Sequence, residues 1–245
     1  MQGVMGTSAG ALTGALFCAG YTPDQVAAEL GRVPPITLMR PNYRPWAGVM
    51  SLEGVIERLR EVLPPSFEDL ERPLAVGVVD RHGNHRLIKS GRLPEAVAAS
   101  ACVPGIFAPV DIPGSHQPLG PFIDGGMKDR VGLEAWRQVV TEQRDISLVH
   151  IIHRSSPFSG PDDVQTSVEN KLFVFKSPKS NFSLFDSANR TAAWEEQMED
   201  TYVRTTDQLI RVRQRADHND ESPLLENQSA NYQTTAEINN VRHHH

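Results

Sequence analysis

Cysteine is scarce in this chain. The 245 residues contain two, Cys18 and Cys102. Each lies in a small apolar stretch, so a disulfide framework is excluded and both are read as buried free thiols. Long hydrophobic runs are missing as well. The longest, from Ala9 to Ala19, contains Gly10, Thr13 and Gly14 and falls short of the roughly 18 residues of a spanning helix. No signal-peptide pattern opens the chain, so a cytoplasmic location is expected. No Lys/Arg cluster with interleaved aromatics occurs, and a formal net charge of −6 opposes a phosphate backbone, so no nucleic-acid partner is expected. No internal repeat is present. Hydrophobic residues at 39% and charged residues at 22% are those of an ordinary globular protein, long enough for one sizeable core.

Local patterning predicts an alternation of helices and short strands. Val4-Met5 reads as the stub of a strand. Ala9 to Ala19 is apolar or small on every face and is expected to be a central, buried helix. Thr22-Pro23-Asp24-Gln25 is a helix start, with Thr22 as N-cap and Gln25 completing a capping box. The stretch from Arg40 to Gly48 reads as loop. Ser51 is expected to cap a helix with the apolar stripe Leu52, Val55, Ile56, Leu59, Val62 and Leu63. Pro73–Val79 and His85–Lys89 are expected to form a hairpin across the turn residues His82-Gly83-Asn84, with His82 and His85 solvated. Leu93–Cys102 and Asp129–Thr141 read as helices; Phe107–Ile112, Pro121–Ile123 and Ile146–His153 read as strands. Beyond Arg154 a polar, loop-rich stretch over Ser155–Pro178, with one short apolar patch at Leu172–Phe175, precedes a long polar helix over Thr191–Arg215. Residues 216–245, poor in apolar periodicity, are expected to be a disordered tail. The carboxylates Glu195, Glu196, Glu199 and Asp200 read as a solvated face. The terminal His243-His244-His245 is set aside from functional reasoning.

The chemistry concentrates in Gly6-Thr7-Ser8-Ala9-Gly10. G-x-S-x-G between a strand stub and an apolar helix is the pattern of a nucleophile elbow, a sharp turn that exposes a serine hydroxyl. The helix that follows points its N-terminal dipole and free N–H groups at the bend, where negative charge is favoured. A second strand end, Ile123-Asp124-Gly125-Gly126, sets a carboxylate before two glycines. A serine becomes an effective nucleophile when a neighbour takes its proton, and a partly desolvated carboxylate can do so.

Three blocks together resemble the patatin-like phospholipases: Gly6-Thr7-Ser8-Ala9-Gly10-Ala11-Leu12, the segment from Ala99 through Ser100, Cys102, Pro104 and Gly105 to Val110, and Asp124-Gly125-Gly126. The resemblance covers roughly residues 4 to 154. It implies a three-layer α/β fold, with a central, mostly parallel sheet and helices on both faces, spanning a domain of residues 1–215. It implies a Ser-Asp dyad, with Ser8 as nucleophile, Asp124 as proton acceptor and the Ala9 N–H as an oxyanion donor. It further implies hydrolysis of phospholipid or glycerolipid esters without a metal or organic cofactor. Peripheral contact with a membrane or lipid-droplet surface is then expected. Tyr43, Trp46 and Val49-Met50 are candidates for that contact, with ordinary loop packing as the alternative.

The chain departs from the family pattern in two places. A glycine-rich oxyanion loop is expected upstream of the elbow, and only five residues precede Gly6. Weak turnover is therefore expected, or a lipid-binding or interaction module without catalysis, or a longer chain in which Met1 is internal. After Asp124-Gly125-Gly126 the sequence runs Met127-Lys128-Asp129-Arg130-Val131-Gly132, where the family often has Asn and Pro. A Ser8-Asp124-His153 triad is a further alternative, because the order Ser, Asp, His is that of α/β-hydrolases; His150 lies on the same strand. Ser100 is expected to pack within its helix, close to the elbow.

Overall fold

The computed structural model describes residues 3–114, 116–139, 147–152, 164–167, 171–177, 195–211 and 214. The expected tail and His153 lie outside these residues. The chain divides into two compact units, Met1–Trp194 and Glu195–His245.

The first unit opens with β1 (Val4–Thr7), which turns at Ser8 into α1 (Ala9–Cys18). Helix α2 (Pro23–Leu30) begins as its residues dictate. The Thr22 hydroxyl accepts from the Gln25 N–H, the Gln25 side chain accepts from the Thr22 N–H, and Pro23 occupies the first turn. Next come β2 (Arg40–Pro41) and β3 (Met50–Ser51), which pair antiparallel, and α3 (Glu53–Val62). The Ser51 hydroxyl accepts from the Glu53 N–H at the start of α3. Strands β4 (Leu74–Val79) and β5 (His85–Ile88) form the expected antiparallel hairpin. Then follow α4 (Leu93–Ser100), β6 (Ile123–Asp124), α5 (Leu133–Val139), β7 (Ser147–Ile152) and β8 (Leu172–Ser177).

Strand β4 is the spine of the central sheet. It pairs parallel with β1 and antiparallel with β5 and β6, so the described sheet is mixed. Every residue of β4 is buried, as expected of a strand covered on both faces. Its alternate side chains Leu74, Val76 and Val78 join the core cluster with Ala11, Ala15 and Leu16 of α1 and the wholly buried α4. The backbone of α1 lies close on this face, because a Cβ at Gly14 would sit 3.2 Å from Val4 and 3.4 Å from Leu74. On the opposite face Met5 reaches Gly132, and the Trp136 ring of α5 lies 3.1 Å from where a Gly3 Cβ would be. Helices therefore cover both faces, and the α/β layering is the one the sequence led to expect. Cys18 and Cys102 are both free and buried.

Two expectations are corrected. Phe107–Ile112 forms no strand and makes only the isolated bridges Met50–Phe107 and Val110–Phe122. Pro109 lies in its middle and Pro113 follows it, and neither can donate to a ladder. The apolar patch at Leu172–Phe175, placed in a loop-rich stretch, belongs to β8, which pairs parallel with β7 over six residues. In the second unit, residues 195–211 are helical, and Glu195, Glu196, Glu199 and Asp200 are exposed as expected. No helix among the described residues is long and apolar enough to cross a membrane.

Candidate active site

Ser8 is one of two non-glycine residues with positive φ among the described residues, at φ 55° and ψ −121°. Such a conformation costs on the order of 1–3 kcal/mol and persists only where its surroundings impose it. Here the surroundings are specific. A Cβ at Gly6 would run into the carbonyl of Gly10, so the end of β1 and the start of α1 meet backbone to backbone. The Ser8 carbonyl accepts from Ala11 N–H at 2.9 Å and Leu12 N–H at 3.3 Å. The Ser8 N–H donates to the Ser100 hydroxyl at 2.9 Å, and that hydroxyl donates onward to the Gly77 carbonyl at 2.6 Å. Ser100 is thus a buried clamp joining elbow, α4 and β4, a role beyond the packing read from sequence.

The Ser8 hydroxyl itself makes no capping bond to α1, and the first turn of the helix holds no acidic residue. Ala9 and Gly10 are exposed. Among the described residues nothing accepts from their N–H groups. The helix start is therefore an open pair of amide donors beside a half-buried hydroxyl, in the positive field of the helix terminus.

Strand pairing brings Asp124 to this place. At Val76 and Gly77, β4 has β5 on one side and β1 on the other; at Val78 and Val79, it has β5 and β6. β1 and β6 therefore meet end to end along one edge of β4, with Thr7 opposite Gly77 and Asp124 opposite Val78. Gly125 packs so closely on the Gly77 backbone that a Cβ there would overlap it, and a Cβ at Gly126 would lie 3.7 Å from the Thr7 methyl. Asp124 is buried; its N–H donates to the Cys102 carbonyl at 2.9 Å, and its Oδ1 accepts from the Gly126 N–H at 2.8 Å. Burial, with the Asp124 carboxylate nearby, pushes the Cys102 thiol up to about 12. All the motif residues, Gly6, Thr7, Ser8, Ala9, Gly10, Asp124, Gly125 and Gly126, thus gather at one end of β1.

One neighbour was not foreseen. His85, expected to be solvated, is half-buried, and burial lowers its pKa against the opposing pull of Asp129. Its Nε2 and the Oγ1 of Thr7 are enclosed without a hydrogen-bond partner. Both approach the space left by the missing side chain of Gly77, within 3.1 Å and 2.6 Å of where its Cβ would be. The period-2 alternation of β5 was the available signal, since it turns His85 towards the α5 face. His150 instead bonds Ser177 across β7 and β8 at 2.8 Å, and burial lowers its pKa. His153, the third member of the alternative triad, lies outside the described residues. Among the described residues, no group of three His, Cys, Asp or Glu side chains could hold a metal ion.

The family model of the patatin-like phospholipases matches residues 2–136, from the strand before the elbow past Asp124-Gly125-Gly126. Uncharacterized NTE family proteins of Mycobacterium bovis and of two Mycobacterium tuberculosis strains are each 28% identical over 131 residues. The alignment covers 52% of this chain and 35% of each relative, so the match spans about a third of the length of these relatives. Since the family model takes in more than half of the chain, including both motifs, the chain belongs to the patatin-like phospholipase family.

Proposed function

We propose that this chain is a lipid acyl hydrolase in which Ser8 attacks the carboxylic ester of a phospholipid or glycerolipid and Asp124 accepts the proton of its hydroxyl. Family membership supports the coarse reaction class. The observation that carries the finer reading is the strained elbow, with its hydroxyl left out of helix capping, one rung along the β4 edge from a buried carboxylate.

In this reading the tetrahedral oxyanion forms over the open N-terminus of α1, where the Ala9 N–H, with Gly10 beside it, donates to the developing charge. One such donor is worth on the order of 10²–10³ in rate. Collapse breaks the ester C–O bond, and the departing alcohol takes the proton from Asp124. Water, deprotonated by Asp124, then attacks the acyl-serine; the Oγ–acyl bond breaks, Asp124 returns the proton to the Ser8 oxygen, and the fatty acid leaves. Ser100 acts as a positioning residue by fixing the Ser8 N–H.

A fluorophosphonate probe tests the reading without prior choice of substrate. The expected result is a covalent adduct on Ser8, absent in Ser8→Ala and strongly slowed in Asp124→Asn, with hydrolysis of a p-nitrophenyl ester following the same order. Labelling that persists in Ser8→Ala would overturn the assignment. Full activity in Asp124→Asn would remove the dyad.

A further inference from the structure

Among the described residues of the first unit, the loop between β2 and β3 holds the most exposed large hydrophobic side chains. Tyr43 is 81% exposed, Trp46 82% and Val49 59%. The loop that carries them is held by its own hydrogen bonds. Asn42 Nδ2 donates to the carbonyls of Arg44 and Gly48, both at 2.8 Å, and the Asn42 N–H donates to the Val49 carbonyl at 3.0 Å. Ala47 N–H bonds the Arg44 carbonyl at 2.9 Å. The Gly48 backbone, at φ 146°, lies directly on that of Phe107 and Ala108, where no side chain would fit. The loop is thus tied into a fixed shape that aims its aromatic rings outward.

The loop is basic. From Met39 to Met50 it carries Arg40 and Arg44 and no acidic residue, in a chain of net charge −6. Arg40 is paired with Glu57. Arg44 has no ion pair among the described residues, and its guanidinium stands 5.0 Å from the centre of the Tyr43 ring. Tyrosine and tryptophan, with an apolar body and a polar tip, suit the boundary between headgroups and acyl chains, and a cation at the same depth suits an anionic headgroup.

The loop is also joined to the candidate site. Met50 N–H bonds the Ile106 carbonyl at 2.8 Å and Ala108 N–H bonds the Met50 carbonyl at 2.9 Å. Ile106, bonded to Met50 in this way, is itself 44% exposed. The same segment starts at Cys102, whose carbonyl holds the Asp124 N–H. We infer that the Tyr43–Val49 loop, with Arg44, is an interfacial anchor that seats this protein on a phospholipid surface bearing anionic headgroups. The identity of what is delivered to Ser8 rests on the acyl-hydrolase reading; the seating does not.

The test uses the full chain carrying Ser8→Ala, so that binding is read without turnover. Co-sedimentation is measured with vesicles of phosphatidylcholine alone and of phosphatidylcholine with phosphatidylglycerol. Binding is expected on both, and more tightly on the anionic vesicles. Replacing Tyr43 and Trp46 together by Ser is expected to weaken binding by at least about tenfold on both. Arg44→Gln is expected to weaken it about fivefold on the anionic vesicles alone. An unchanged thermal midpoint in each variant shows that the fold is kept. Vesicle binding that is absent, or unaffected by the double substitution, would overturn the anchor. So would a self-associated species in sedimentation that the double substitution disperses, because the tip would then be covered by a second copy. Fluorophosphonate labelling of the unsubstituted protein reports separately on Ser8, so failure of the anchor and failure of the hydrolase reading are distinguishable.

Discussion

Two helices begin within fifteen residues of each other, and they begin in opposite ways. Helix α2 has every local device that stabilises a start: a Thr22–Gln25 capping box, Pro23 in the first turn and Asp24 against the dipole, on an extended N-cap. Helix α1 has none. Its N-cap Ser8 sits at positive φ, its side chain caps nothing, and no acidic residue lies in its first turn. Both positions hold a hydroxyl residue of the type favoured at N-caps. The difference teaches that the α1 start is held by tertiary contacts, the Gly6–Gly10 approach and the Ser100 clamp. Those contacts leave the hydroxyl and the neighbouring N–H groups uncommitted. A helix end kept open in this way is what the proposed role of Ser8 requires.

The contrast can be broken by substitution. The largest effect is expected from Ser8→Ala, which should lower ester hydrolysis by at least about 10⁴-fold while leaving the thermal midpoint nearly unchanged. A clear loss of stability would mean that the hydroxyl caps the helix after all. Gly6→Ala forces a Cβ into the Gly10 backbone and should cost about 3 kcal/mol. In a chain of this size that is a fall of roughly 6–12 °C in a thermal melt, with fluorophosphonate labelling lost alongside. A neutral Gly6→Ala would show that strand and helix need not touch.

Ser100→Ala leaves the Ser8 N–H and the Gly77 carbonyl without their partner and should cost about 2 kcal/mol. Denaturant unfolding measures it, and labelling of Ser8 should slow in parallel. The smallest effects form a matched pair. Thr22→Ala should destabilise by about 1 kcal/mol through loss of the capping box. Ser8→Gly should stabilise by about 1 kcal/mol, because glycine adopts positive φ without the Cβ penalty. If the two substitutions moved stability in the same direction, the two helix starts would not differ in kind.

The starts of α1, α2 and α4 fell where expected because their signals are local. The helix expected from Asp129 begins at Leu133, the Asp129 carboxylate accepting instead from the Val131 and Gly132 N–H groups. The capping box lies within four residues, and the all-apolar run of α1 announces burial directly. Strand β8 was not legible, because a single apolar patch says nothing about its partner β7, about 25 residues away in sequence. Phe107–Ile112 misled in the other direction: it has strand-like residues, and Pro109 interrupts the ladder. His85 was expected to be solvated because it flanks the polar turn His82-Gly83-Asn84. The space that encloses it is made by Gly77 on the adjacent strand and by the segment around Gly132.

The sequence alone determined the chemistry-bearing pieces: the elbow at residues 6–10, the Asp124-Gly125-Gly126 strand end, and the helix that points its N-terminus at the bend. Each is a short-range pattern in which spacing fixes geometry. Tertiary structure alone decided that these pieces meet. β1 and β6 share one edge of β4, and Ser100 reaches back 92 residues to hold the Ser8 N–H. Such pairings depend on which strand edge remains open and which backbone can come close, and those conditions exist only once the chain has packed.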